Sequence, residues 1–252
     1  MTQTVLLAID TSTEFCSVAL LSAAASADGS FSLATWVRHE QTGAVSSTRV
    51  LPAVREVLAD AGLSLADCAA IAFGSGPGSF TGLRTATGIA QGLAFGTQLP
   101  VVPVGTLLAC AESARLNAPA GAEPDRVLAA LDARMDEVYW ADYAWDPVQR
   151  EWRTIQPASL DAPSDVLIPD APFTLAGNAA GAFGERLPAA ARAQAIDAQA
   201  LPHALSIAHV ALRAYRAGRM VQADQAAPEY VRNKVAQTTA ERLAARAGGG
   251  GR

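Results

Sequence analysis

The chain has 252 residues, which suits one large domain or two small ones. Half of the residues are hydrophobic, 17% are charged and the mean hydropathy is +0.18, so wholesale disorder is excluded. The formal net charge of -5 argues against a free-standing nucleic-acid binder, which carries a basic face. Lys234 is the only lysine, so the body of the fold cannot supply a P-loop lysine, a PLP Schiff base or a kinase-type strand lysine.

In chain order, Val5–Ile9 is a short apolar run and reads as a buried strand ending at Asp10. Thr11-Ser12-Thr13-Glu14 is a polar turn, and Cys16–Leu21 reads as the returning strand of a hairpin. A loop over Ala23–Ser30, with Asp28-Gly29, leads to a third strand at Phe31–Val37. Apolar residues at three- and four-residue steps predict a helix over Ser47–Ala61, stopped by Gly62. Ala69–Phe73 is a strand, Gly74–Ser79 a glycine-rich turn, and Phe80–Gly96 a helix. A strand at Val101–Val104, a helix at Thr106–Arg115, and strands at Val127–Leu131 and Glu137–Tyr143 follow. After Trp145 prolines become frequent and the periodicity fades. Only a short strand at Phe173–Ala176 and an amphipathic helix at His203–Ala217 are legible there. The glycine-ended segment from residue 233 reads as a disordered tail. No internal repeat is visible in the letters, and no apolar run is long enough to cross a membrane.

The glycine-rich turn has two physical readings, a phosphate cradle or a tight strand-to-helix corner. It lacks the sixth glycine of the dinucleotide fingerprint, where Ser79 stands. It also lacks the lysine of the P-loop, because Gly82 is followed by Leu83-Arg84-Thr85. These patterns favour the corner. The next helix carries Gly88, Gly92 and Gly96 at four-residue spacing, beside Ala86, Ala90 and Ala94. A glycine inside a helix costs about 1 kcal/mol relative to alanine. A stripe without side chains therefore points to close packing, either on the chain's own sheet or on another subunit.

The metal and hydrolase tests are negative. His39, His203 and His209 form no HExxH or HxxxH pattern, and no G-x-S-x-G elbow is present. Cys16, Cys68 and Cys110 form no CxxC pair, as befits a reducing compartment. Asp10 and Asp132 each end a strand before a polar turn. Such carboxylates hold magnesium beside phosphates or cap their own turns, and spacing does not choose between these.

Five segments in order carry a resemblance: Leu7–Thr13, Gly76–Arg84, Gly88–Ala94, Leu131–Arg134 with Glu137-Val138-Tyr139, and Ala227–Arg232. Together they resemble the TsaB (YeaZ) family of bacterial tRNA threonylcarbamoyladenosine biosynthesis proteins, over nearly the whole chain. The resemblance implies an α/β, two-lobed actin-like fold of the Hsp70/sugar-kinase/actin type, with mixed sheets flanked by helices. One lobe would hold residues 1–105 plus 203–232, and the other residues 106–202. It implies no catalytic residue and no metal. Instead it implies a dimerisation subunit that pairs with the catalytic paralogue TsaD. Together with TsaE, that pair transfers a threonylcarbamoyl group to N6 of adenosine 37 in tRNAs reading ANN codons.

By the same resemblance tRNA is met only through the complex, the chain alone is a homodimer, and it is cytoplasmic. The partner surface would comprise Val50, Leu51 and Val54 on the first helix and Ser79, Phe80, Thr81, Arg84, Gly88, Gln91 and Gly92 on the second. Asp10, Thr11, Ser12 and Asp132 would be remnants of the two phosphate loops. No cofactor is required, and weak ATP or ADP binding near the interface is compatible with the role. The catalytic paralogue's HxxxH motif has no counterpart at Val45–Val50, which contains no histidine. The competing expectation is an independent ATPase or small-molecule kinase using Asp10 and Asp132.

Overall fold

The computed structural model describes residues 3–25 and 31–231. The expected loop at Asp28-Gly29 and the expected tail from residue 233 lie outside the described residues. Two five-stranded sheets form the frame. The first contains β1 (Gln3–Asp10), β2 (Phe15–Ala25), β3 (Phe31–Gln41), β4 (Ala70–Gly76) and β5 (Val101–Gly105), in the order β3-β2-β1-β4-β5. The second contains β6 (Arg126–Asp132), β7 (Val138–Asp146), β8 (Glu151–Asp161), β9 (Thr174–Ala176) and β10 (Ala195–Asp197), in the order β10-β9-β6-β7-β8.

Read from its first strand, each sheet repeats one scheme. Three antiparallel strands run to one edge and two parallel strands extend the other. The letters show no repeat, yet the topology is duplicated. This duplicated, two-lobed arrangement is the actin-like fold.

Sequence patterning missed strand β8, and with it the short elements at Ala179–Phe183, Pro188–Arg192 and Ala195–Asp197. In β8 the inner position Trp152 is buried, but Arg153, Thr154 and Ile155 are exposed and Pro157 interrupts the donor row. Proline is tolerated there because β8 is an edge strand with one side unpaired by the sheet.

Burial on both faces follows from the alternation of β1. Leu7 and Ile9 enter one core beneath α1 (Ser46–Ala61) and α2 (Phe80–Thr97). Leu6 and Ala8 enter the opposite core, closed by α6 (Ala204–Arg216) with Ile207, Ala208 and Ala211. α3 (Thr106–Asn117) packs on the second sheet through Leu107, Cys110 and Ala114, and the short helices α4 (Ala179–Phe183) and α5 (Pro188–Arg192) cover its other face. All three cysteines are buried and free. Among the described residues no helix is long and apolar enough to cross a membrane.

The start of α6 is held by a ring stack. His203 caps the helix, its Nδ1 accepting from the Leu205 N–H at 3.0 Å. Its ring lies 4.3 Å from that of His39, which stacks on Phe15 at 4.5 Å. Burial, with a smaller contribution from His39, pushes the His203 pKa down to about 4. The unfolded value is about 6.5. The unfolded chain therefore binds more protons between these values, so this contribution is complete above pH 6.5 and is lost as pH falls towards 4. His203→Asn keeps a capping acceptor without the titration. It is expected to flatten this part of the pH–stability curve in denaturant unfolding between pH 4 and 7.

Candidate functional site

The candidate surface begins where β4 turns into α2. Ser79 caps α2 and its Oγ accepts from the Gly82 N–H. Behind this cap, the backbone of residues 78–82 lies directly on the hairpin turn after β1. The Ser79 N–H donates to the Ser12 carbonyl at 2.8 Å, and the Thr11 hydroxyl donates to the Gly82 carbonyl at 2.6 Å. A Cβ on Gly78 would sit 2.7 Å from the Ser12 carbonyl oxygen, and one on Gly82 would sit 1.8 Å from that of Thr11. The two glycines are there because backbone meets backbone with no room for a side chain. Gly82→Ala is expected to destabilise the chain by several kcal/mol, on the order of 3 or more, read as a fall in the denaturant midpoint. Gly88→Ala, with open space around it, is the control and is expected to stabilise by about 1 kcal/mol.

This packing engages the polar groups of the first loop. The Thr11 hydroxyl and the Ser12 carbonyl are used by the glycine-rich corner, and the Ser12 hydroxyl and N–H are used by Asp10 Oδ2, at 3.0 and 3.2 Å. The second loop behaves alike. The Asp132 carboxylate accepts from the Arg134 N–H at 2.8 Å and from its guanidinium at 3.3 Å, while the Asp132 N–H donates to Asn178. Asp132 is turned onto its own loop, and Asp10 holds Ser12 through its Oδ2.

Asp10 is fully buried, and its Oδ1 has no hydrogen-bond partner among the described residues. It faces Gly74, where a Cβ would sit 2.1 Å away. Burial raises its pKa to about 6, partly offset by the Ser12 hydroxyl and N–H. With an unfolded value near 3.9, the folded chain binds more protons between pH 4 and 6, so this term weakens stability as pH rises through that window. Asp10→Asn removes the buried charge while keeping an oxygen for Ser12. It is expected to stabilise by about 1–2 kcal/mol at pH 7 and to give no such gain at pH 4, measured by urea unfolding at both values.

The two stripes on α2 separate. Ala86, Ala90 and Ala94 are fully buried on the first sheet, whereas Gly88, Gly92 and Gly96 are exposed with open space where a Cβ would be. The glycine stripe is therefore not consumed by packing on the chain's own sheet. Phe95 on the same helix is 80% exposed, and Leu51 on α1 is 42% exposed.

The expected partner residues divide accordingly. Leu51, Ser79, Thr81, Arg84, Gly88 and Gly92 are at the surface. Val50 and Val54 are not: they are 0% and 4% exposed, because the inner face of α1 packs on the first sheet. This corrects the expectation that they face a partner. Phe80, Arg84 and Gln91 already touch the chain's own C-terminal segment. Gln91 donates to the Ala226 carbonyl, Arg84 to the Tyr230 hydroxyl, and Tyr230 lies 5.5 Å from the Phe80 ring. The Arg84 guanidinium also sits 4.0 Å from the centre of that ring. Glu229 donates its N–H to the Ser75 carbonyl and presses its own carbonyl on Gly76. Sequence reasoning missed Phe95 and Tyr230. The first was legible as the large apolar residue on the glycine side of α2; the second required the long-range fold.

Comparison with known proteins agrees with this architecture. The family model of TsaD, tRNA N6-adenosine threonylcarbamoyltransferase, matches residues 40–246. This places the chain in the class of actin-like proteins related to that transferase. A tRNA threonylcarbamoyladenosine biosynthesis protein TsaB from Escherichia coli is 38% identical, over 92% of this chain and 96% of its own length. The TsaB of Haemophilus influenzae is 37% identical over 91% and 94%. A solved structure of YeaZ from Pseudomonas aeruginosa superposes with a TM-score of 0.78 at 41% identity, over 90% of this chain and 99% of that one. The chain belongs to the TsaB (YeaZ) family.

Proposed function

We propose that this chain is the non-catalytic partner subunit of a TsaD-type transferase in tRNA threonylcarbamoyladenosine biosynthesis. It presents the outer faces of α1 and α2 as a docking surface for that enzyme. The carrying observation is the exposed Gly88–Gly92–Gly96 stripe on α2, flanked by the exposed ring of Phe95. Three glycines in a solvent-facing helix weaken it with no return inside the monomer. A second helix laid along the stripe gives that return through close backbone approach. The transferase carries the chemistry and, with TsaE, the tRNA contacts. The product is threonylcarbamoyl on N6 of adenosine 37 in tRNAs reading ANN codons. Without its partner the chain pairs with itself through the same surface, in the cytoplasm, and it requires no nucleotide for this role.

The acidic balance of the chain fits a subunit that leaves tRNA to its partner. The reading as an independent ATPase is disfavoured by the way the loops at Asp10 and Asp132 close on themselves. Titration of the isolated chain with Mg-ATP is expected to show no tight site. Gly92→Leu fills the stripe without touching the core. It is expected to weaken co-purification with the transferase at least tenfold while the melting temperature stays the same or rises slightly, because a helix glycine costs about 1 kcal/mol. Full complex formation by this variant overturns the proposed surface.

A further inference from the structure

A cavity of about 420 Å³ lies on the line where α6 and β5 of the first sheet meet β8 of the second. It falls within the range of small-molecule sites, about 300–1,000 Å³. Its lining includes the apolar side chains of Val104, Leu108, Val210, Ala214 and Met220 and the polar ones of Arg213, Arg219, Glu151, Thr154 and Trp152. It is remote in sequence from the α1–α2 surface, and nothing in the reading above uses it.

The polar lining is built from the inside out. Glu112 is 2% exposed, and both its oxygens are satisfied. Arg213 donates Nη1 and Nη2 to it at 2.9 and 2.7 Å, and the Trp152 indole N–H donates at 2.7 Å. This clamp joins α3, α6 and β8, and so fixes the Arg213 guanidinium in place. A guanidinium has five N–H donors, and those of Arg213 not taken by Glu112 have no acceptor among the described residues. At the rim, Arg219 pairs with Glu151. Their side chains are 55% and 38% exposed, so this pair is weak and exchangeable.

We infer that this cavity is a binding site for an organic monoanion with an apolar body, a carboxylate or sulfonate class of ligand. The anionic group takes the free donors of Arg213 and displaces the Glu151 carboxylate from Arg219. The apolar body lies against Leu108, Val210 and Met220. The unused N–H donors of Arg213, fixed in the wall, are what an anionic group would take. Because the walls come from both sheets, an occupied cavity stiffens one lobe against the other.

The test uses 8-anilino-1-naphthalenesulfonate, an aromatic monoanion, titrated by fluorescence into the full-length chain. Its uncharged counterpart N-phenyl-1-naphthylamine serves as comparison. The expected result is one saturable site per chain. Arg219→Ala should weaken it at least fivefold, Ala214→Phe, which fills the cavity, should abolish it, and the uncharged dye should bind at least fivefold more weakly. Leu167→Ser, at an exposed position outside the cavity lining, should leave it unchanged. Binding that survives Arg219→Ala undiminished, or that Leu167→Ser removes, overturns the inference. Arg219 is exposed, so its variant decides the matter even if Ala214→Phe fails to fold.

Discussion

Two peptide segments lying on each other with no side chain between them set the geometry of this protein. The turn after β1 and the corner before α2 are joined through the Ser79 N–H on Ser12 and the Thr11 hydroxyl on Gly82. Gly78 and Gly82 are the residues that permit this distance. The contact fixes where α2 begins and hence which residues it turns outward. It also engages the polar side chains of the first loop within the chain itself.

The composition of α2 is a consequence. Its buried face lies on the first sheet through Ala86, Ala90 and Ala94, flanked by Leu83 and Thr87. Its glycine face looks out with nothing above it. Such a helix is poorly stabilised by propensity alone and is held instead by the core beneath and by the C-terminal segment across its first turns. There Tyr230, Phe80 and Arg84 form one stacked group. The C-terminal segment thus covers part of α2, joining residues 135 and 146 positions apart in the chain.

At the other side of the lobe boundary, a buried carboxylate is the organising group. A buried charge is tolerated only when paired and hydrogen-bonded, and Glu112 has three donors from two other elements. The arrangement ties the two sheets together through a polar contact rather than a continuous apolar core. A cavity with an ordered guanidinium in its wall is left beside it.

The strands and helices of the first lobe were legible in the sequence because each has one clear period and a clear stop: Gly62 ends α1, and Asp10 ends β1. The separation of the two α2 stripes was also legible. A two-residue offset is about 200° around a helix, so Ala86–Ala90–Ala94 and Gly88–Gly92–Gly96 must face opposite ways. Which of them faces inward was decided only by the sheet beneath. Strand β8 was hidden because an edge strand buries one side weakly and tolerates Pro157. Val50 and Val54 were misplaced because the inner and outer faces of an amphipathic helix both carry apolar residues in this chain, and only the packed core distinguishes them. By itself the sequence determined most elements of the first lobe and the family. These depend on residue type and local period. The tertiary structure alone decided that the glycine corner closes on Thr11 and Ser12, that the C-terminal segment crosses α2, and that Glu112 draws Arg213 and Trp152 together. Each of these joins residues tens of positions apart, and no local pattern records such a meeting.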